Sequence, residues 1–411
     1  MQKPGGKDEK LQVEDCTYEK RVNLSIPWNR WLLKPTGLWP DKSYVSPIEK
    51  NIARLVNTVC YGLIGYLVIP CSLYVFLDVE NIFKEIELFG IFAFCVAALW
   101  KYHSLILHGD DIRTCVEHMK YDWKNITHEE DKEIMALNAS FGKRIVTICA
   151  FFMYTGFTFY FLVVPISADK MVAEDLNVTF RQMVVPVSRF IVDVRYSPVN
   201  EIFFLIQIIA GVLIHAIAVV ACSLAAVFAV HACGQMGILM SWLEHLIDGR
   251  EDMSKNVDDR IAVIVNQHVR ILKFLELVEK ALRQVSFAEL LVCTVNLCLV
   301  GYYIITEWNS NNLTTTVTYV VLYISLTFNI FIFCYIGELV SEQCKKVGEV
   351  SYMIEWYRLP GNKKLCCILI MAMSNSSVKF TAGNMVELSI STFSSVVRTS
   401  VAFLNALRTF S

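Results

Sequence analysis

The chain is 411 residues long, 55% apolar and only 18% charged, with a mean hydropathy of +0.46. It is too long and too apolar for an ordinary soluble domain and fits an all-α membrane protein with several crossings. A formal net charge of −2, with no basic cluster interleaved with aromatics, offers no surface for nucleic acid.

In chain order, the opening MQKPGGKDEKLQVEDCTYEKR is charged and lacks an apolar core of signal-peptide length. The first apolar helix is therefore expected to act as the targeting signal. A crossing needs about 20 apolar residues to span a core about 30 Å thick. Residues 55–77 form such a run, and 88–100 form a shorter one that 102–107 extend past Lys101. Residues 145–168 are a third, and 202–243 contain no Asp, Glu, Lys or Arg. Residues 290–306 and 308–337 follow, and 388–407 are a seventh run interrupted by Arg398. The fourth run is about twice the length of one crossing. No turn cluster divides it, so it predicts one helix that projects into the cytosol.

Lysine and arginine crowd the segment before the first run and the loop after the second, from Arg113 to Arg144. They crowd again from Arg250 to Arg283 and from Lys345 to Lys379, whereas the intervening loops are poor in them. Seven crossings put all the rich segments on one side, with the N-terminus cytosolic and the C-terminus extracellular. That orientation is opposite to that of a G-protein-coupled receptor, and that class's acidic-Arg-Tyr and Asn-Pro-x-x-Tyr turns are absent. The fourteen cysteines fall in helices or inside, which gives no extracellular disulfide. Asn177 and Asn312 are the sequons on the outer side, and hence the expected glycosylation sites.

Catalytic patterns are missing. His215 and His231, on the fourth run, have no Cys, Asp or Glu at metal-ligand spacing. They read as neutral, hydrogen-bonded residues of the bundle. There is no H-E-x-x-H, G-x-S-x-G or phosphate loop, and no repeat of the kind that marks a transporter. The chain is read as a non-enzyme, with no cofactor and no metal.

Toward the end, Pro360-Gly361 breaks the helix pattern, and 363–373 predicts a helix too short to cross. In the last run, Ser391, Ser395 and Thr399 form one stripe, with Asn405, Ala406, Thr409 and Phe410 together nearer its end. A hydroxylated stripe either packs on other helices or faces water in a pore built from several copies.

The runs Y-M-I-E-W-Y-R-L-P-G-N-K-K-L, M-A-M-S-N-S-S-V-K-F-T-A-G and L-S-I-S-T-F-S-S-V-V-R-T-S resemble the C-terminal signature of insect odorant receptors. N-R-W-L-L-K-P-T-G-L-W-P resembles the segment these receptors carry before their first helix. The resemblance implies a seven-helix subunit of a ligand-gated, non-selective cation channel, tetrameric, in the plasma membrane of a sensory dendrite. The short loop 248–259 and Thr381-Ala382-Gly383 favour an odorant-tuning subunit that assembles with the co-receptor Orco over Orco itself. The alternative is a gustatory-type homotetrameric channel, whose T-Y-x5-Q-F ending is absent.

The resemblance divides the chain into a cytosolic segment 1–51, six helices over 52–345, a short-helix anchor 346–379 and a pore-lining helix 380–411. It places Asn405, Ala406, Thr409 and Phe410 at the pore. For a small volatile odorant it implies a site in the outer half of the bundle. Depth there selects Phe92, Met153, Gly156, Tyr160, Phe204, Ile208, Tyr319 and Tyr323, whose aromatic and sulfur groups suit dispersion contacts.

Overall fold

The computed structural model describes residues 36–37, 47–78, 82–168, 171–173, 178–188, 191–307, 313–376 and 379–410. Asn177 and Asn312 lie outside the described residues, as does most of the 29–40 segment. Of that segment, the Thr36 carbonyl accepts a 3.0 Å hydrogen bond from the fully buried Tyr102.

The helices are α1 (Pro47–Leu73), α2 (Ile82–Leu107), α3 (Gly109–Asn125) and α4 (Glu129–Phe157). Then come α5 (Val199–Glu244), α6 (Val257–Glu307), α7 (Leu313–Met353), α8 (Lys364–Asn375) and α9 (Ile390–Phe410). α1 ends in a π-helical turn, Tyr74–Asp78, and α4 continues through a second, Thr158–Val163, to Ser167. Two short antiparallel hairpins, β1 (Met171–Ala173) with β2 (Val178–Phe180) and β3 (Thr381–Ala382) with β4 (Val386–Glu387), and two 3-10 turns, Trp356–Arg358 and Gly361–Lys363, are the other elements among the described residues.

Among the described residues, α1, α2, α4, α5, α6 and α7 are long and apolar enough to cross a membrane. α5 is one unbroken helix of 46 residues, about 69 Å long. The run 290–306 is only the end of the 51-residue α6, so the basic residues from Arg260 to Arg283 lie on a helix. α7 runs on to Met353, across residue 345. These three helices therefore extend well past a core about 30 Å thick.

α5 is the axis of the bundle and packs on α4, α6 and α7. Its middle is rich in Ala, Cys, Ser and Gly, and small residues let helices approach closely in a membrane. Gly142 on α4 shows how closely: a Cβ built there would lie 2.6 Å from Val230 Cγ2. The turn from α5 to α6 is closed by Arg260. Its guanidinium donates to the carbonyls of Leu246 (2.9 Å), Ile247 (2.8 Å) and Ser254 (2.9 Å), satisfying polar groups of the connection between the two helices.

α8 packs on α7, burying Cys367, Ile370 and Ser374. α9 packs on α6 and α7 through Phe393 and Val396, which meet Cys293, Leu297, Ile330 and Cys334.

Candidate functional site

A cavity of about 120 Å³ lies between α2, α4, α5, α6 and α7. α2 contributes Gly90, Ile91, Phe94 and Cys95, and α5 contributes His215. α4 gives Met153 and Gly156, and its π-helical turn gives Tyr160 and Phe161. Such a turn shifts the side-chain register within a helix and is common at functional sites. α6 supplies Asn296, Leu299, Val300 and Tyr303, and α7 supplies Tyr319, Leu322, Ser325 and Leu326.

The cavity brings together Met153, Gly156, Tyr160 and Tyr319 of the residues singled out from the sequence. Phe92 packs on Phe76 and Phe89 instead. Phe204 lies under the Arg181 guanidinium, 5.2 Å from it, and Ile208 packs against the core. Tyr323 lines a second hollow, between α6, α7 and α9, with Gly301 and Leu404. The cavity is also lined by α6 and by His215, which the sequence had not singled out as ligand contacts. An α6 contribution was hidden because its last third reads as one apolar crossing; Asn296, its one side-chain amide, was the available signal.

His215 is buried and its Nδ1 lies 2.9 Å from the Gly211 carbonyl oxygen one turn earlier. A carbonyl only accepts, so Nδ1 carries the proton and Nε2 carries the lone pair. Phe94, Phe157 and Phe161 surround the imidazole with centroids 5.2, 5.0 and 5.7 Å away. Gly211 permits this cluster, since a Cβ there would lie 2.7 Å from Phe161 and 2.9 Å from Phe157.

About two turns from Asn296 along α6 sits a buried ion pair. Lys101 Nζ meets Glu289 Oε2 at 2.7 Å. Glu289 also accepts from Asn329 Nδ2, and from Cys293 at 3.2 Å. Asn329 follows the cavity residue Ser325 by one turn, and Cys293 belongs to the cluster under Phe393 and Val396 of α9. A polar group is thus shared by the cavity's walls and the seat of the last helix.

Two clusters have metal-like composition. His118, Asp122 and His231 converge, and so do His128, Asp131 and Asp252. Both are already engaged by arginine. Arg270 contacts Asp122 and donates from Nε to His118 Nε2 at 3.1 Å. The neutral His118 proton is then on Nδ1, 3.3 Å from Asp122, and His231 Nε2 lies 2.8 Å from the same carboxylate. Burial first, and the Arg270 charge second, lower the His118 pKa to about 4. His231 Nε2 hydrogen-bonds the carboxylate and Arg270 holds both Asp122 and His118, so these groups are committed to one another and are not an open ligand set. Asp122 supplies the partner that local spacing around His231 did not reveal. In the second cluster Arg250 binds Asp131 at 3.0 Å and Asp252 at 2.7 Å.

The last helix has two faces. Ser391, Ser395, Arg398, Thr399 and Asn405 are exposed, whereas Ser400 is buried and Phe393 and Val396 pack inward. Ala406, Thr409 and Phe410 lie on its final turns, with side chains outside the described residues.

A model of the family described as 7tm Odorant receptor matches residues 85–401. The chain is similar to Odorant receptor 13a of Drosophila melanogaster, 22% identical over 194 residues, which are 44% of this chain and 46% of that receptor. It is similar to Odorant receptor 10 of Aedes albopictus, 22% identical over 155 residues, 38% of this chain and 40% of that one. The chain thus matches less than half the length of these relatives. Its fold is similar to the insect olfactory receptor OR5 from Machilis hrabei, solved in complex with eugenol, with a TM-score of 0.79. That likeness has 13% identity and covers 96% of this chain and 100% of the other.

Proposed function

The chain belongs to the 7tm Odorant receptor family, and from that premise we propose that it is the odorant-binding subunit of a ligand-gated, non-selective cation channel. The observation that carries this reading is the largely apolar cavity between α2 and α4 to α7. Its walls suit a small volatile molecule held by dispersion and area burial. Met153, Gly156, Tyr160 and Tyr319 are the predicted ligand contacts we retain; Phe92, Phe204, Ile208 and Tyr323 are set aside in favour of His215 and Asn296. A ligand shifts the equilibrium only if it prefers the open state. The cluster of Glu289, Asn329 and Cys293 links the cavity walls to α9 and supplies a route for that preference.

α9 is proposed as the seventh crossing and the pore-lining helix, with the N-terminus cytosolic and the C-terminus extracellular. Its exposed hydroxyl face supports this, because one chain leaves it uncovered. Asn405, Ala406, Thr409 and Phe410 would stand nearest the gate. The chain would assemble with Orco as a tetramer in the plasma membrane. Exposed apolar residues around α8, namely Leu365, Ile368, Leu369 and Met373 with Tyr352 and Met353, support a covering partner there. Asn177 and Asn312 are proposed as extracellular glycosylation sites.

Assembly and topology are tested by co-expressing an N-terminally tagged chain with Orco. Orco is expected to co-purify at a total of four subunits, and the tag to be labelled only after permeabilisation. A tag labelled on intact cells would contradict the topology, and failure of Orco to co-purify from the co-expressing cells would contradict the assembly.

A further inference from the structure

We infer that the cavity selects a neutral ligand bearing a hydroxyl group, an alcohol or a phenol, whose O–H donates to His215 Nε2. The inference rests on the reading of the cavity as the ligand site. His215 is 6% exposed, so its ring is almost wholly withdrawn from solvent. The Gly211 carbonyl fixes the proton on Nδ1. Nε2, at the far edge of the ring, remains an acceptor, and among the described residues no hydrogen bond to it is formed.

The cost of leaving a buried acceptor unsatisfied sets the selectivity. A hydrocarbon, an ether or a ketone entering beside His215 brings no donor and strips Nε2 of any water. A hydroxyl satisfies it. The rest of the ring's surroundings is aromatic, from Phe94, Phe157 and Phe161, and cannot substitute. Other polar groups share the cavity: the tyrosines Tyr160, Tyr303 and Tyr319 line it, Ser325 Oγ donates to the Phe152 carbonyl at 2.9 Å, and Asn296 Nδ2 donates to the Val292 carbonyl at 3.0 Å.

Charge narrows the class further. An ammonium ligand would find no free carboxylate, because Glu289 is held by Lys101 and Asn329. Size sets the upper limit. The cavity, about 120 Å³, is close to the apolar cavity of about 150 Å³ that holds benzene. A single ring or a short chain fits.

The test uses the purified full chain in detergent micelles and three pairs in which a methyl replaces the hydroxyl. These are 4-methylphenol with 1,4-dimethylbenzene, cyclohexanol with methylcyclohexane, and 1-hexanol with heptane. Affinity is read from the concentration dependence of the melting temperature. Because each molecule partitions into the micelle, the quantity compared is each pair's affinity ratio in the wild type against its ratio in the His215 variants. The expected hydroxyl preference is about tenfold. His215→Phe should abolish it, and His215→Gln, which retains an acceptor oxygen, should restore most of it.

Equal ratios in wild type and His215→Phe, or no binding of any hydroxyl-bearing member, would overturn the inference. Gly156→Leu separates this from the underlying reading. A Cβ at 156 already lies 3.2 Å from Ser325 Oγ, so the larger side chain fills the cavity. If it blocks binding while the pairs remain equivalent, the cavity is the site and the hydroxyl preference is wrong. If it leaves binding unchanged, the ligand binds elsewhere and both fail.

Discussion

Lys101 Nζ lies 2.7 Å from Glu289 Oε2, and the two side chains are 2% and 3% exposed. The pair joins α2 to α6 inside the bundle. Removing one partner of a buried pair leaves an uncompensated charge and costs about 3–5 kcal/mol, whereas replacing both with apolar residues is often neutral. Lys101→Met alone and Glu289→Leu alone are therefore expected to lower the melting temperature and surface expression sharply. The double substitution should recover much of the loss. Additive losses in the double variant would show that the two charges are not coupled.

The Thr-Ala-Gly stretch is fixed to α6. Thr381 N donates to Glu279 at 3.0 Å, its hydroxyl bonds the same carboxylate, and Gly383 N donates to the Arg283 carbonyl at 3.0 Å. Gly383 has φ 63°, and a Cβ there would lie 3.0 Å from the Phe287 ring. Gly383→Ala meets both penalties and is expected to cost about 1–3 kcal/mol. Thermal denaturation of the purified chain measures it; an unchanged midpoint would contradict this account of the motif.

Entry into the last helix depends on α7. Glu338 Oε2 accepts from Ile390 N at 3.1 Å, satisfying one of the free amides at a helix start. A Cβ on Gly337 would lie 2.2 Å from the Leu388 carbonyl oxygen, so the backbone there must move. Gly337→Ala is expected to reduce evoked current while ligand binding in the cavity is retained. Binding and current falling together would place the defect in folding and not in coupling.

Acid should weaken the network around Asp122. His118 has its pKa lowered from 6.5 to about 4, burial acting first and Arg270 second. The folded state holds it neutral beside Asp122, His231 and Arg270. Its contribution is complete above 6.5, the unfolded value, and is lost as the pH falls through about 4. The melting temperature should drop over that interval, and less steeply in His118→Asn. A parallel pH profile for the two proteins would exclude His118 as the cause.

The long apolar runs were legible because charge-free stretches in a membrane protein leave few alternatives to a helix. The single fourth helix followed from the lack of a turn cluster, and the structure agrees. The true start of α6 was not legible. Its first half is amphipathic and charged, and only the folded chain shows that Val257 and Asp258 already belong to the helix. The residues expected at the ligand site were chosen by depth, and depth does not fix facing. Phe92 and Tyr323 share the depth of Phe94 and Tyr319 yet point away from the cavity, because helix rotation is set by neighbours that no single run displays. The Lys101 and Glu289 pair had a signal, since each is a lone charge near an apolar run. Partners 188 residues apart become visible only when α2 and α6 are brought together.

The most direct test is whole-cell current in cells expressing this chain, Orco, or both, during application of the hydroxyl-bearing volatiles. Surface expression is verified in each case. The account predicts a rapid non-selective cation current only when both chains are present, reduced by Gly156→Leu. An equal current from this chain alone, or the same response after Gly156→Leu, would contradict it.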